Sequence, residues 1–235
     1  MFNINGSIFS GSNVVIVNGR VVSGGGNVKT QKFDERKLED CSNIDKIVID
    51  TTVGDVNVSV SNSSMVEAHF YGEANVDKNI EFDVQVVNRE LRITIYFTGN
   101  CYSNNLKLDI TIPKKTFKVI FAKSLSGDIT LNEGVSTGYI KVKIQSGDLD
   151  TKATVNDVSV STMSGDVNLY IDATQDINVD VSTMSGDVLV EFNNIAHINL
   201  STSSMSGDIK NYHKEGKGYM ADVNISTMSG DIRVR

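Results

Sequence analysis

The heptapeptide Ser-Thr-Met-Ser-Gly-Asp-Val at residues 161–167 decides the fold. It returns unchanged at residues 182–188, and again as Ser-Thr-Met-Ser-Gly-Asp-Ile at residues 226–232. Its Ser-Gly-Asp core occurs six times, and successive glycines are 20, 18, 21, 21 and 23 residues apart. These glycines are Gly127, Gly147, Gly165, Gly186, Gly207 and Gly230. Such regularity indicates one small structural unit that is used repeatedly.

Apolar residues alternate with polar ones on both sides of each glycine. Around Gly165, the apolar positions are Val158 and Val160 before the turn and Val167 and Leu169 after it. A period of two predicts a strand on each side. Glycine permits an unusual backbone conformation, while Ser and Asp form hydrogen bonds to nearby amides as turn residues do. Ser-Gly-Asp is therefore predicted to bend or reverse the chain between two strands.

A unit of about 20 residues cannot bury its apolar face alone, so successive units are expected to stack. If they stack in register as a β-solenoid, like residues form columns with the strand spacing of about 4.8 Å. One such column holds methionines two positions before the glycine, and we predict that it is buried at the bend. Its members are Met163, Met184, Met205 and Met228. The pattern leaves open whether each turn is a solenoid corner or a hairpin reversal.

A second column holds the aspartates of the repeat, which are predicted to be structural. They are Asp128, Asp148, Asp166, Asp187, Asp208 and Asp231. Carboxylates about 5 Å apart repel by roughly 1 kcal/mol in water, so each is expected to accept hydrogen bonds from turn amides and the preceding Ser hydroxyl. The alternative is a row of calcium ions that bridges the carboxylates. Identical copies argue against catalysis, because an active site needs groups with different pKa values.

The chain divides into three predicted parts of one continuous β domain. Residues 1–30 contain two Asn-Gly hairpins that could cap the stack. Residues 31–112 form an irregular β region, in which Lys32 to Asp40 reads as a loop or short helix and Gly54-Asp55 as a diverged first copy of the turn. Asn88-Arg89-Glu90 is predicted to join two strands of this region as a hairpin turn. Residues 113–235 hold the regular repeats.

Composition supports an all-β fold and argues against some classes of partner and location. Val and Ile number 51 against 17 Leu and Ala, and β-branched side chains favour sheet. The net charge of -7 argues against nucleic acid as a partner. The chain shows neither an export signal nor a membrane span, so a cytoplasmic location is expected. Cys41 and Cys101 are expected as thiols, with a single bridge possible if the chain is exported.

No catalytic pattern is found in the sequence. His69, His197 and His213 stand alone, without the partners that a zinc site would need. Dinucleotide, phosphate-loop and GxSxG patterns are missing. No Arg occurs between Arg92 and Arg233 to stabilise developing negative charge, as polysaccharide cleavage would require. We therefore expect that the protein is not an enzyme and has no cofactor, calcium excepted.

Three segments carry a family resemblance: the STMSGDV repeat, TTVGDVNV at residues 51–58, and IPKK at residues 112–115. Together they resemble the bacterial "putative adhesin" family, also classed as a domain of unknown function, over about residues 44–235. The resemblance implies a β-helix-like repetitive fold and suggests a role at the cell envelope or surface. It supplies no catalytic residue.

The sequence predicts a non-enzymatic structural or binding module, similar to an adhesin, that presents a repetitive β surface to a protein or glycan. The predicted binding positions are outward Ser, Asn and Asp residues: Ser159, Ser161, Asn168, Asn178 and Asp180. The alternative is a calcium-dependent β-helix protein that binds or cleaves polysaccharide.

A third hypothesis concerns self-association. The chain stops within a strand pattern, at Asp231-Ile232-Arg233-Val234-Arg235, so the C-terminal coil is predicted to be an open edge through which the protein could form a homo-oligomer.

Overall fold

The computed structural model describes residues 14–17, 20–24 and 28–235, and that part of the chain is all-β, with twenty strands and no helix. The strands are β1 (Val14–Val17), β2 (Arg20–Gly24), β3 (Lys29–Asp40), β4 (Lys46–Thr51), β5 (Asp55–Ser61), β6 (Met65–Val76), β7 (Glu81–Val87), β8 (Glu90–Tyr96), β9 (Cys101–Asn104), β10 (Lys107–Pro113), β11 (Thr116–Ser126), β12 (Ile129–Ser146), β13 (Leu149–Ser164), β14 (Val167–Asp172), β15 (Ile177–Ser185), β16 (Val188–Asn193), β17 (Ile195–Ser206), β18 (Ile209–Asn211), β19 (Tyr219–Ser229) and β20 (Ile232–Val234).

The strands form two ladders that meet at the Ser-Gly-Asp turns. The upstream ladder contains the segments that enter the turns, with β7 and β8 added at one end. Its order is β7-β8-β4-β11-β12-β13-β15-β19-β17. The downstream ladder contains the segments that leave the turns, with β3, β6 and β10 added at one end. Its order is β3-β6-β10-β5-β12-β13-β14-β16-β20-β18, and β9 also pairs with β6. The long strands β12 and β13 belong to both ladders. All pairs among β11 to β20 are parallel, which confirms the predicted stacking of the repeats.

The core lies between the two ladders. Val158 and Val160 of the upstream ladder and Val167 and Leu169 of the downstream ladder are all buried. The same alternation continues through the stack, as a period of two requires when one face of a strand is covered. Because apolar burial contributes roughly 25 cal/mol per Å², these rows are the main favourable term in folding.

The glycine of each turn packs directly against the glycine of the next. All six repeat glycines have φ between +129° and +148°, a region that residues with a side chain rarely adopt. A Cβ placed on any of them would lie 2.0 to 2.4 Å from the carbonyl oxygen of the neighbouring turn's glycine. Both the backbone conformation and the close approach therefore require glycine.

The order of the turns in the stack differs from their order in the chain. Gly54 lies next to Gly127, which confirms Gly54-Asp55 as a diverged first turn. At the other end, Gly230 lies between Gly186 and Gly207. β19 pairs with β15 and β17, and β20 pairs with β16 and β18. The C-terminal coil is thus enclosed, and the prediction that it forms the open edge is wrong.

Side-chain polarity gives a physical reason for this order. The enclosed coil places Val223 and Ile225 in β19 and Val234 in β20 toward the core. The coil at the edge has Thr202 and Asn211 at the positions that pair with Ile225 and Val234. Enclosing the more apolar strands buries more apolar surface, while polar side chains at the edge keep contact with water.

The methionine column is exposed, contrary to prediction. Met163, Met184 and Met228 are 50 to 52% exposed and Met205 is 80% exposed. The strand continues to the residue before the glycine, so alternation points the preceding threonine inward and the methionine outward. The buried neighbours are Thr162, Thr183 and Thr227.

The N-terminal part also departs from prediction in one place. Residues 32–40, expected as a loop or short helix, belong to β3, which pairs antiparallel with β6 along its whole length. Asn88 and Arg89 form the predicted turn between β7 and β8, with φ of 51° and 65°. These values fit a two-residue hairpin turn of type I′.

β1 pairs antiparallel with β2 on either side of the second predicted hairpin, whose Asn18-Gly19 turn lies outside the described residues. The first, at Asn5-Gly6, lies outside the described residues. Within the described part of the chain, neither β1 nor β2 pairs with the large ladders, so the capping role stays a prediction.

Replacing Gly165 with Ala should destabilise the protein by roughly 2–4 kcal/mol, because the new Cβ meets the Gly147 carbonyl oxygen at 2.0 Å and φ is +129°. The matched control is Gly216→Ala, whose Cβ would find its nearest neighbour at 4.0 Å. Its cost should stay within about 0.5 kcal/mol. Urea unfolding of both variants measures the difference, and equal stabilities would contradict the described packing of the turns.

Candidate binding surface and the aspartate ladder

The outer face of the upstream ladder carries two rows of small polar residues near its C-terminal end. They lie outward because they alternate with buried residues such as Val160 and Val181. Strand pairing then places equivalent residues of β13, β15, β19 and β17 side by side. We call this surface the serine groove, and it consists of Ser159, Asp180, Asn224 and Ser201 in one row and Ser161, Ser182, Ser226 and Ser203 in the other.

The serine groove is shallow and open, with a volume of about 350 Å³. Neighbouring groups along a row are separated by the strand spacing of about 4.8 Å. Asn224 Nδ2 donates a hydrogen bond to Asp180 Oδ1 at 3.1 Å, which fixes one amide and one carboxylate within the first row. The second row consists of four Ser hydroxyls, each of which can both donate and accept. The surface can therefore form repeated hydrogen bonds with an extended ligand.

The structure brings together three of the five predicted binding residues. Ser159, Ser161 and Asp180 line the serine groove. Asn178 lies on the same ladder one row away, where its Nδ2 donates to Asp157 Oδ1 at 2.7 Å. Asn168 lies on the downstream ladder, beyond the turn.

The contributions of β17 and β19 to the groove were missed by sequence reasoning. Ser201 and Ser203 precede Gly207 by six and four residues, as Ser159 and Ser161 precede Gly165. This spacing is the sequence signal that assigns Ser201 and Ser203 to the same two rows. It does not show that the strands lie in the order β15-β19-β17.

The aspartates of the turns form a continuous hydrogen-bonded ladder. In each of the six Ser-Gly-Asp turns the Asp backbone N–H donates to Oδ1 of the aspartate in an adjacent turn, at 2.8 to 3.1 Å. The order is Asp55, Asp128, Asp148, Asp166, Asp187, Asp231 and Asp208. Turn amides are thus the donors, as predicted, but each amide comes from the neighbouring turn. The predicted hydrogen bond from the preceding Ser hydroxyl is not found at the described turns. These bonds to charged acceptors offset the repulsion within the column.

Cations gather where the ladder ends. Arg233 contacts Asp231 Oδ2 at 2.7 Å and Asp187 Oδ2 at 3.6 Å, and Lys210 contacts Asp208 Oδ2 at 3.0 Å. The backbone N–H of Asp208 lowers the pKa of Asp231, and the charges of Arg233 and Lys210 lower it further. The hydrogen bond and the nearby cations therefore both favour the ionised form of Asp231.

The geometry of the ladder does not favour calcium. The turn aspartates form a single column. Oδ1 of each aspartate accepts an amide N–H, except in Asp208, the last of the ladder. Calcium takes six to eight oxygen ligands, which a single column of such carboxylates does not supply. In the described ranges no group of three or more His, Cys, Asp or Glu side chains could hold a metal ion. Calcium binding at Asp128, Asp148, Asp166, Asp187, Asp208 and Asp231 stays the alternative to their predicted structural role.

The histidines and cysteines lie apart from the serine groove. His69 contacts Asp34 at 2.8 Å, and His197 contacts Glu215 at 3.2 Å. Cys41 is buried, Cys101 is exposed, and both are free thiols. Burial raises the pKa of the Cys41 thiol, so this residue is poorly suited to act as a nucleophile.

The Toastrack DUF4097 family model matches residues 44–235 of this chain. No curated protein matches this chain. A solved structure from Clostridium sporogenes, described as a "putative cell adhesion protein", shares 14% identity with a TM-score of 0.54, over 87% of this chain and 99% of that chain. This likeness shows the fold alone.

Two further solved structures are less similar in shape. A "putative adhesin" from Bacteroides fragilis shares 17% identity with a TM-score of 0.47, over 87% of this chain and 98% of that chain. A "putative lipid binding protein" from Parabacteroides distasonis shares 14% identity with a TM-score of 0.33, over 90% and 98%. Among the described residues, no helix has the length and hydropathy that a bilayer crossing needs.

Asp166→Ala should cost about 1–2 kcal/mol, because the Asp187 amide loses its acceptor at 2.8 Å. Asp166→Asn keeps a side-chain oxygen at the same place and removes one charge from the column, so its cost should be less than half as large. Chemical denaturation of the two variants beside the wild type checks this ranking. An Asn variant as unstable as the Ala variant would show that the charge, and not the acceptor, holds the ladder.

Proposed function

We propose that this chain, which belongs to the Toastrack DUF4097 family, is a non-enzymatic binding module. Its stacked turns form a β-solenoid, and this β-solenoid presents the serine groove to an extended glycan. The observation that carries the proposal is the alignment of eight small polar residues from four neighbouring strands on one open face. A small substrate would instead need an enclosed pocket, and the open serine groove is not a site of that kind.

The shape of the groove suits a long ligand. Small-molecule sites usually bury most of the ligand surface within a concave pocket. The serine groove instead lies open along the stacking direction, and its groups repeat at the strand spacing of about 4.8 Å. A linear polymer can place successive units against successive strands, so that weak contacts add along its length.

The chemistry of the groove suits hydroxyl-rich ligands. Ser hydroxyls donate and accept hydrogen bonds, as sugar hydroxyls do, while Asn224 and Asp180 add amide and carboxylate groups. One hydrogen bond contributes roughly 0.5–1.5 kcal/mol net, so several are needed for useful affinity. The groove residues include no Lys or Arg, which a polyanionic nucleic acid would require.

An adhesive role is consistent with the description of one structural neighbour. The Clostridium structure is described as a "putative cell adhesion protein", and a glycan-binding module would fit such a role. Under this proposal the protein acts at the cell envelope or surface, where extended glycans are found. The cytoplasmic location expected from the sequence is the competing localisation.

The triple variant Ser161→Ala, Ser182→Ala and Ser226→Ala should weaken glycan binding at least tenfold, because it removes three adjacent hydroxyls of one row. Binding is measured on an array of bacterial and host polysaccharides, and the affinity for each retained glycan by titration calorimetry. The matched control changes Thr130, Asp150 and Asn168 to Ala. These residues are neighbours in the same way on the downstream ladder, so the control should bind as the wild type does.

An empty array overturns the glycan proposal, as does binding that both triple variants weaken equally. If the array is empty while a protein partner is captured by the wild type and lost by the serine variant, the groove remains the binding surface and its ligand is a protein. Retention of all binding by the serine variant removes the groove from the function.

A further inference from the structure

One end of the stack is open. In the part of the chain that the structure describes, β17 pairs only with β19 and β18 pairs only with β20. Their other edges carry backbone groups that no described strand satisfies. Such an edge is a template for pairing with another strand.

The two ends of the stack differ in how they are protected against pairing with another strand. The opposite end of the upstream ladder finishes in the antiparallel strand β7, which places Glu81 and Asp83 on the edge. The downstream ladder finishes there in β3, which contains eight charged residues in twelve. Natural proteins use charges, proline and bulges to prevent edge pairing. β17 has twelve residues without a single Lys, Arg, Asp, Glu or Pro.

Core-facing residues are uncovered at the open end. Ile209 of β18 is 45% exposed, whereas Ile232, its partner in the enclosed coil, is completely buried. Ile198 and Leu200 of β17 are half-buried, although they pack against the core. Covering these side chains would add apolar burial at roughly 25 cal/mol per Å². The open end therefore has both free hydrogen-bonding groups and apolar surface to bury.

We propose that this end binds a second copy of the same chain, by edge-to-edge pairing of β17 with β17 of the partner around a two-fold axis. Inside the stack, each coil is covered by another coil with the same alternation, so the surface that matches the open coil is a coil of the same kind. A two-fold contact uses one patch on both subunits and brings two copies of β17 together, neither of which contains Lys, Arg, Asp or Glu. Charged residues at this end contact a neighbour within the same chain: Lys210 contacts Asp208, and Glu215 contacts His197.

The proposed dimer has a consequence for the serine groove. Ser201 and Ser203 lie on β17, so the grooves of the two subunits would meet at the axis. The dimer itself depends only on the exposed edge and does not require that the groove bind glycan. Failure of the glycan experiment would therefore leave this proposal intact.

The experiment measures the mass of the intact chain by sedimentation and light scattering over a range of concentrations. The wild type should reach twice the 25.6 kDa of one chain. Ser201→Lys, at the middle of β17, should weaken association at least tenfold, because a two-fold pairing of the full strands brings the two copies of this residue close together and so places like charges at the contact. The matched control Thr174→Lys adds the same charge at an exposed position away from the edge and should keep the wild-type mass.

A rescue by opposite charge separates loss of contact from loss of folding. Ser201→Lys and Ser201→Glu should each be monomeric and should form a mixed dimer when combined, because residue 201 lies near the two-fold axis. Recovery of the dimer mass supports pairing at this end, and a mixture that stays monomeric overturns it. A wild type with the mass of one chain at every concentration, or a Ser201→Lys variant that dimerises normally, overturns the proposal as well.

Discussion

The close contact between the backbones of adjacent turns is the constraint on which the structure depends. Each repeat glycine brings its backbone against the carbonyl oxygen of the neighbouring glycine, at a distance that excludes any side chain. The following aspartate then accepts the amide of the next turn. Because both contacts hold adjacent turns in the same register, the strands on either side pair in parallel and their apolar rows align. The two-sided core follows from that alignment.

The same register produces the candidate functional surface. Once Val160 and Val181 face the core, Ser161 and Ser182 must face solvent. Repetition then creates rows of equivalent polar groups without any dedicated loop or pocket. The charge of a row changes along the ladder. The row that contains Ser161 and Ser182 begins with Lys123 and Lys143 on the preceding strands. A nearly neutral, hydroxyl-rich surface is thus confined to the C-terminal half of the stack.

Much of this fold could be predicted from local patterns. The alternation around Gly165 predicted the strands on both sides of the turn, and Asn88-Arg89 predicted a hairpin. The prediction of a buried Met184 is wrong, because the alternation of the strand places Thr183 inward and Met184 outward, although methionine often fills gaps in a core. The strand at residues 32–40 was missed because its polar residues lie at a sheet edge, where little burial is needed to stabilise pairing with β6.

The position of the C-terminal coil could not be read from the chain order. A repeat indicates that units stack but does not fix which unit is last, since every unit offers a similar edge. The choice depends on small differences, such as Val234 in one coil against Asn211 in the other. It decides which strands complete the serine groove and which edge is open, so it is central to both the proposed function and the proposed dimer.

Disulfide trapping tests that order most directly, in a background with Cys101 replaced by Ser. Ser185 pairs with Ser229, and Ser229 pairs with Ser206, so Ser185 and Ser206 are separated by one intervening strand. Paired cysteines at positions 185 and 229 should form a disulfide under mild oxidation, because neighbouring strands lie about 4.8 Å apart and a disulfide spans 4.4–6.8 Å between Cα atoms. Cysteines at positions 185 and 206 should stay reduced. The reverse outcome, with a bond between positions 185 and 206 and none between 185 and 229, would show that the coils stack in chain order.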